Sequence, residues 1–391
     1  MQQATRVYLD NAATTPLSDC ARGAMQPYLS EVYGNASSPY AVGRSARMAI
    51  DKARQSAANL IGAHADEMVW TSGGTESDNW ALLGVALRAL AGNRETRGHI
   101  IVSAIEHHAV LEAAATLREI GFDIDTARVD GQGVVHPEEI ARLLRPETLL
   151  VSVMLVNNEV GTIQPLQEIA RVVKEDSDAL IHTDAVQAAG KIELDVVNLG
   201  VDLLSLSGHK FGGPKGAGIL WARRGVKIHP LLRGGGQERG RRAGTENVAA
   251  IAGVGAAAQE AKVRPNNGVL SELREHLEAG LRAMGATING EQAARAPHIT
   301  NAHFADQRAE SLALGLDLQG FAVGTGSACA SGAIEPSHVL AAMGKSKEEA
   351  RAALRISLGN QNTRDEIDEL LAALTVLTKK QDARIRQDKA G

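Results

Sequence analysis

The chain has 391 residues, 44% of them hydrophobic and 22% charged, and a net charge of −5. That balance suits a water-soluble globular protein long enough for two cores. With acids and bases interspersed and only 3% aromatic residues, it offers no footprint for direct nucleic-acid binding.

Residues 1–10 run almost at once into strand-like sequence and show no secretory pattern. Two cysteines, Cys20 and Cys329, cannot build a disulfide framework, so a reducing, cytoplasmic setting is expected. Apolar spacing predicts a short helix over 19–28, which would pack Cys20 among Ala21, Ala24 and Met25. Further helices are predicted over 44–61, 75–91, 109–120, 137–144 and 166–175. Between and after them come strands over 67–70, 99–103, 122–129, 149–156, 179–182, 201–206 and 217–221. Even the longest apolar runs, such as 149–156, are too short to span a bilayer, so no membrane contact is expected.

This alternation implies an α/β fold, a mostly parallel sheet between helices, with ligands beyond the carboxyl ends of its strands. After about residue 260 the texture shifts to longer amphipathic helices, and only 297–304 and 357–358 look extended. The expected division is a large domain over 16–260 and a smaller α+β domain made of 1–15 and 261–391.

Polar residues collect where strands end. The run 201–206 stops at Ser207-Gly208-His209-Lys210, ahead of a glycine-rich stretch. A lysine desolvated there can shed its proton and act as a nucleophile toward a carbonyl cofactor such as pyridoxal phosphate. A solvated turn lysine is the plainer alternative. Thr71-Ser72-Gly73-Gly74-Thr75 opens a helix, which suits either a phosphate or an ordinary N-cap. Glu106-His107-His108, Asn157-Asn158-Glu159, and Asp184 with Gln187 one turn on follow three other strands. Each is weak alone, but together their types suit one cofactor. An aspartate can keep a pyridinium nitrogen protonated, and a histidine can stack on the ring and move protons.

Competing motifs fail. Gly234-Gly235-Gly236 lacks the third glycine of a dinucleotide fingerprint, no Walker sequence exists, and no histidine pair has metal-binding spacing, so no metal is expected. Cys329 sits in Gly326-Ser327-Ala328-Cys329 among small residues, a setting for an accessible, reactive thiol. Arg355, within an apolar run, needs a counter-charge from either a substrate carboxylate or a structural salt bridge. The arginine- and glycine-rich stretch 234–245 could be an exposed linker or could reach a partner's anion site.

Taken in order from Tyr8-Leu9-Asp10-Asn11-Ala12 to Gly359, these motifs resemble the NifS/IscS-like cysteine desulfurases of the class V aminotransferase family. The resemblance implies a fold-type I, pyridoxal 5'-phosphate-dependent transferase that converts L-cysteine to L-alanine. Lys210 would form the Schiff base, Asp184 would pair with the pyridine nitrogen, and His107 would stack on the ring. Gln187 and Asn158 would lie near the phenolic oxygen. Gly74, Thr75, Ser207 and His209 would hold the phosphate, joined by Thr245 from the other subunit of a homodimer. Arg355, with Asn158, would hold the substrate. Cys329 would take its sulfur as a persulfide, for a sulfur-acceptor protein in iron–sulfur cluster assembly or thio-modification. Two positions depart from the family pattern: Ala36 stands where proline is usual, and Asn360 where arginine is common.

Overall fold

The computed structural model describes residues 7–92, 98–263, 267–305, 307–325 and 336–390. Its strands, in chain order, are β1 (Val7–Tyr8), β2 (Met68–Thr71), β3 (His99–Ser103), β4 (Asp123–Ala127), β5 (Thr148–Ser152) and β6 (Leu180–Asp184). Next come β7 (Leu203–Ser207), β8 (Gly218–Ala222), β9 (Thr287–Ile288) and β10 (Ile299–His303). The last are β11 (Phe321–Ala322), β12 (Gly324–Thr325) and β13 (Ala353–Ser357).

Seven strands form the main sheet in the order β2-β8-β7-β6-β5-β3-β4. Strand β8 is antiparallel to both its neighbours, and the remaining pairs are parallel. Side-chain alternation divides the strands between two cores. Met68, Trp70, Ile101, Val151, Leu204, Leu206 and Trp221 enter one, while Val69, Ile100, Val102, Leu150, Leu203 and Leu220 enter the other. A sheet so apolar on both faces must be covered on both sides. The helix Ala41–Leu60 covers the first face through Ala46, Ile50, Ala53 and Ala57, spaced three or four apart. The helix Gly74–Ala91 covers the second through Trp80, Ala81, Leu82 and Val85. Burying each large aliphatic side chain in such a core is worth about 1.5–3 kcal/mol.

A third core joins Leu9 to Leu270, Leu277, Leu312, Leu354, Ile356, Ile367 and Leu370. It is built on the antiparallel sheet β12-β13-β10-β9, with β1 pairing in parallel to β11. The N-terminal segment is therefore tied to the late part of the chain, and the isolated bridge from Asp10 to Ser357 extends that tie. Strand β13 was predicted only at its end. Its Ala-Leu-Arg composition favours helix locally, and pairing with β10 and β12 overrides that preference. Among the described residues, no helix is long and apolar enough to cross a membrane.

Candidate active site

A cavity of about 360 Å³ opens at the carboxyl ends of the central strands. Strand β6 ends in Asp184, with Gln187 just beyond it, and β7 ends in Ser207, which leads through Gly208 and His209 to Lys210. All five of those polar side chains line the cavity. The starts of two helices bring Gly74 with Thr75, and His107. Asn158 follows β5 by a short loop, and Arg355 reaches in from β13. Ten of the twelve residues singled out from the sequence thus meet in one place.

Close backbone contact shapes the phosphate end. A Cβ at Gly218 would lie 2.5 Å from Gly73 Cα, and one at Gly74 would lie 2.9 Å from Val186 Cγ2. Glycine at both positions lets the turn before the helix Gly74–Ala91 press onto the β7–β8 edge, beside Ser207. That helix has no side-chain cap, so an ordinary N-cap does not account for its polar start. Its free N–H groups and positive dipole end form an anion cradle.

Lys210 Nζ donates to the carbonyls of Ala12 and Ala13 at 2.6 and 2.9 Å. Burial, and then the charge of Arg355, bring its ammonium down to about 8. A sizeable fraction is therefore free amine at mildly alkaline pH, which a solvated turn lysine would not be. Asp184 Oδ1 accepts the N–H of Val186 at 2.8 Å, while burial raises its carboxyl to about 6. His107 Nδ1 accepts the N–H of Ala109 at 3.1 Å, and burial together with Lys210 lowers its pKa to about 4. The ring is thus neutral near pH 7. His209 Nδ1 bonds Thr14 Oγ1 at 3.0 Å, and Gln187 Nε2 donates to the carbonyl of Ala12 at 2.8 Å. The segment from Ala12 to Thr14 is the wall on which several of these groups are braced.

Arg355 combines both alternatives left by the sequence. Its NH2 nitrogen pairs with Asp10 at 2.8 Å and NH1 donates to the carbonyl of Asn158 at 3.0 Å, and its buried Nε has no partner among the described residues. A structural ion pair thus holds the guanidinium of a residue that lines the cavity.

Of the other two predicted residues, one lies away from the cavity and one cannot be placed against it. Thr245 is exposed, and the stretch before it is pinned to its own chain, with Arg242 bidentate on Glu76 and Arg241 on the carbonyls of Asp66 and Met68. Glu238, buried in the same stretch, pairs twice with Arg54 at 2.7 and 2.6 Å. The stretch is exposed over much of its length but tethered to its own chain, so it is not a free linker. Cys329 lies outside the described residues.

The expectation for Cys20 needs correction. It does not pack; it is exposed, and its Sγ donates to Glu260 Oε2 at 2.8 Å. Burial and the Glu260 carboxylate raise its pKa, which keeps it a thiol and a poor nucleophile. Cys20→Ser is accordingly expected to leave alanine release from L-cysteine within about twofold of wild type, an exposed substitution of a protonated group. An assay showing a tenfold loss would contradict that.

Asp10, Asp78 and Met154 were not anticipated, although Asp78 and Met154 line the cavity and Asp10 holds Arg355. For Asp78 a signal existed: it sits one helical turn after Gly74 and therefore on the same side.

The aminotransferase class-V family model matches residues 7–370. The cysteine desulfurase IscS of Methanosarcina thermophila is 47% identical over 377 residues, covering 96% of this chain and 92% of its own. Among solved structures, a NifS-like protein superposes with a TM-score of 0.89 at 39% identity, covering 96% of this chain and 100% of its own. A structure described as SspA in complex with cysteine does so with a TM-score of 0.81 at 35% identity, covering 90% and 99%.

Proposed function

The chain belongs to the class-V aminotransferase family and is a pyridoxal-phosphate-dependent cysteine desulfurase, and from that premise we propose how its own residues carry the reaction. The observation that supports the assignment is the meeting of ten chemically apt residues in one cavity. The glycine cradle, the buried Asp184 and the partly deprotonated Lys210 fit this cofactor's phosphate, ring nitrogen and aldehyde.

Gly74, Thr75, Ser207 and His209 hold the phosphate. Asp184 would hold the ring nitrogen, neutral His107 would stack on the ring, and Gln187 with Asn158 would face the phenolic oxygen. Bound in this way, the cofactor supplies an electron sink for carbanions at the substrate. Arg355, aided by Asn158, binds the L-cysteine carboxylate. Lys210, as free amine, takes the proton from the substrate's α-carbon and returns it to that carbon after the sulfur has left. The Cys329 thiolate attacks the substrate sulfur, so an S–S bond forms as the substrate's C–S bond breaks. The released electron pair goes to the substrate's β-carbon, which is protonated to give L-alanine. Cys329 keeps the sulfur as a persulfide, for transfer to an acceptor protein serving iron–sulfur cluster assembly or thio-modification. The setting is cytoplasmic, and the large domain spans 16–260.

The site is shared across a homodimer. Thr245 is exposed on its own chain, so it is available to reach the other subunit's phosphate. Leu29, Tyr33, Tyr40 and Met48 are exposed apolar side chains within a short stretch, a surface that a second copy would cover. Mixing a Thr245→Ala variant with a Lys210→Ala variant tests this, because each mixed dimer has one site with both residues intact. Activity should recover to about a quarter of wild type, since half of the dimers mix and each carries one good site. No recovery, or a fully active monomer in light scattering, would contradict the shared site.

A further inference from the structure

Two buried carboxyls, Asp78 and Asp184, line the cofactor cavity, a third, Glu106, lies near them, and of these Asp184 alone is assigned to the cofactor. Asp78, on the helix Gly74–Ala91, lines the cavity and is 1% exposed. Its Oδ1 has no hydrogen-bond partner among the described residues, His182 Nε2 stands 3.6 Å from it, and a side-chain hydrogen bond with Ser205 acts in favour of its anion without outweighing burial. His182 is committed elsewhere: Nε2 bonds Ser205 Oγ at 3.0 Å and Nδ1 bonds Ser152 Oγ at 2.9 Å. Burial holds that imidazole neutral, near 3. Strand alternation puts His182, Asp184, Ser205 and Ser152 on the sheet face that this helix covers.

Glu106, fully buried before the helix His108–Glu119, is the third carboxyl. Its Oε1 accepts the Ser103 hydroxyl and the Met154 N–H, both at 2.6 Å, and its Oε2 has no partner among the described residues. Burial above all, with Asp184 adding repulsion, lifts it to about 8. The ionisable groups facing Asp78 are thus Asp184 and His182 from β6 and Glu106, with Lys210 beyond Asp184. Buried carboxyls that repel one another resist ionising together, and an anion with an unbonded buried oxygen is costly. Asp184 alone has both a backbone N–H and the attraction of Lys210.

We propose that Asp78 is a neutral carboxylic acid in the cofactor cavity, a positioning residue that leaves Asp184 the one anion available to the ring nitrogen. The proposal rests on the assignment of Asp184 to that nitrogen. Burial, and then the charge of Asp184, hold the Asp78 carboxyl well above the usual range. An acid with a raised folded pKa keeps its proton while the unfolded chain loses its own from about pH 4. Its stabilising contribution is complete below that pH and is lost as pH rises toward the folded value.

The test uses the holoenzyme. Asp78→Asn mimics the neutral acid, so its Tm advantage over wild type should be smallest at about pH 4 and grow as the pH rises from there. A Tm deficit that grows with pH would mean an ionised, stabilising Asp78 and overturn the proposal. Should that variant not fold, infrared spectra of wild type with carboxyl-labelled aspartate serve instead. Near neutral pH a protonated aspartic C=O band should shift with the label, and the absence of any shifted band would overturn the neutral acid. A pH titration of the visible cofactor absorbance separates the two assignments. Asp184→Asn should move the midpoint by on the order of one unit, whereas Asp78→Asn should leave it nearly in place. Movement in both variants would overturn the neutral acid. No movement in Asp184→Asn would overturn the assignment of Asp184, and this proposal with it.

Discussion

Cys329→Ser is expected to lower alanine release from L-cysteine on the order of 10³-fold or more, the scale of losing a reacting nucleophile. The substituted hydroxyl has nearly the same shape but is a far weaker nucleophile toward sulfur. Binding should survive, because Lys210, Asp184 and Arg355, which line the cavity, are unchanged. L-Cysteine should therefore still change the cofactor spectrum of the variant, and the reaction should stall after that change. A spectral response with no alanine is the signature to look for. Near-normal alanine production would place the sulfur chemistry on another group, and Cys20, held as a thiol by burial and Glu260, is poorly suited to supply it.

Lys210→Ala is expected to abolish the visible absorbance of the lysine-bound cofactor and to slow turnover by at least about 10²–10⁴-fold, the range for losing a positioned proton-transfer group. The wild-type lysine adds a pH signature. Its ammonium is brought down to about 8, so the free amine rises about tenfold per pH unit below that value and then levels off. Capture of added pyridoxal phosphate by the cofactor-free enzyme should follow that curve. A rate still climbing steeply at pH 10 would mean a lysine of ordinary basicity, and the desolvated nucleophile would be wrong.

Much of the sheet was legible because its strands are short apolar runs bounded by glycine and polar residues. Residues 99–103, expected as a strand, are β3 in the structure. The site was legible for a related reason: its polar residues sit where those runs stop, and a parallel sheet aligns such ends on one side. What escaped were interactions that depend on distant segments. Asp10 meets Arg355 across 345 positions of sequence, and only the pairing of the N-terminal segment with the late strands brings them together. Strand β13 escaped because alanine and arginine carry a helical preference that cross-strand pairing overrides. Cys20 was misplaced because a seven-residue helix, Asp19–Met25, has too few turns to reveal its covered face; Ala21 is buried and its neighbour is not. Asp78 had a periodic signal, but a lone aspartate in a helix is usually solvated, and its depth became plain only with the sheet beneath it.

The measurement that bears most directly on the account is a single incubation with L-cysteine, without reductant, in which alanine and protein-bound sulfur are counted together. The first turnover should yield one alanine for each sulfur retained per active site, with mass spectrometry finding the added sulfur on the Cys329 peptide and none on the Cys20 peptide. Alanine formed with no sulfur on Cys329, or sulfur carried by Cys20 instead, would contradict it.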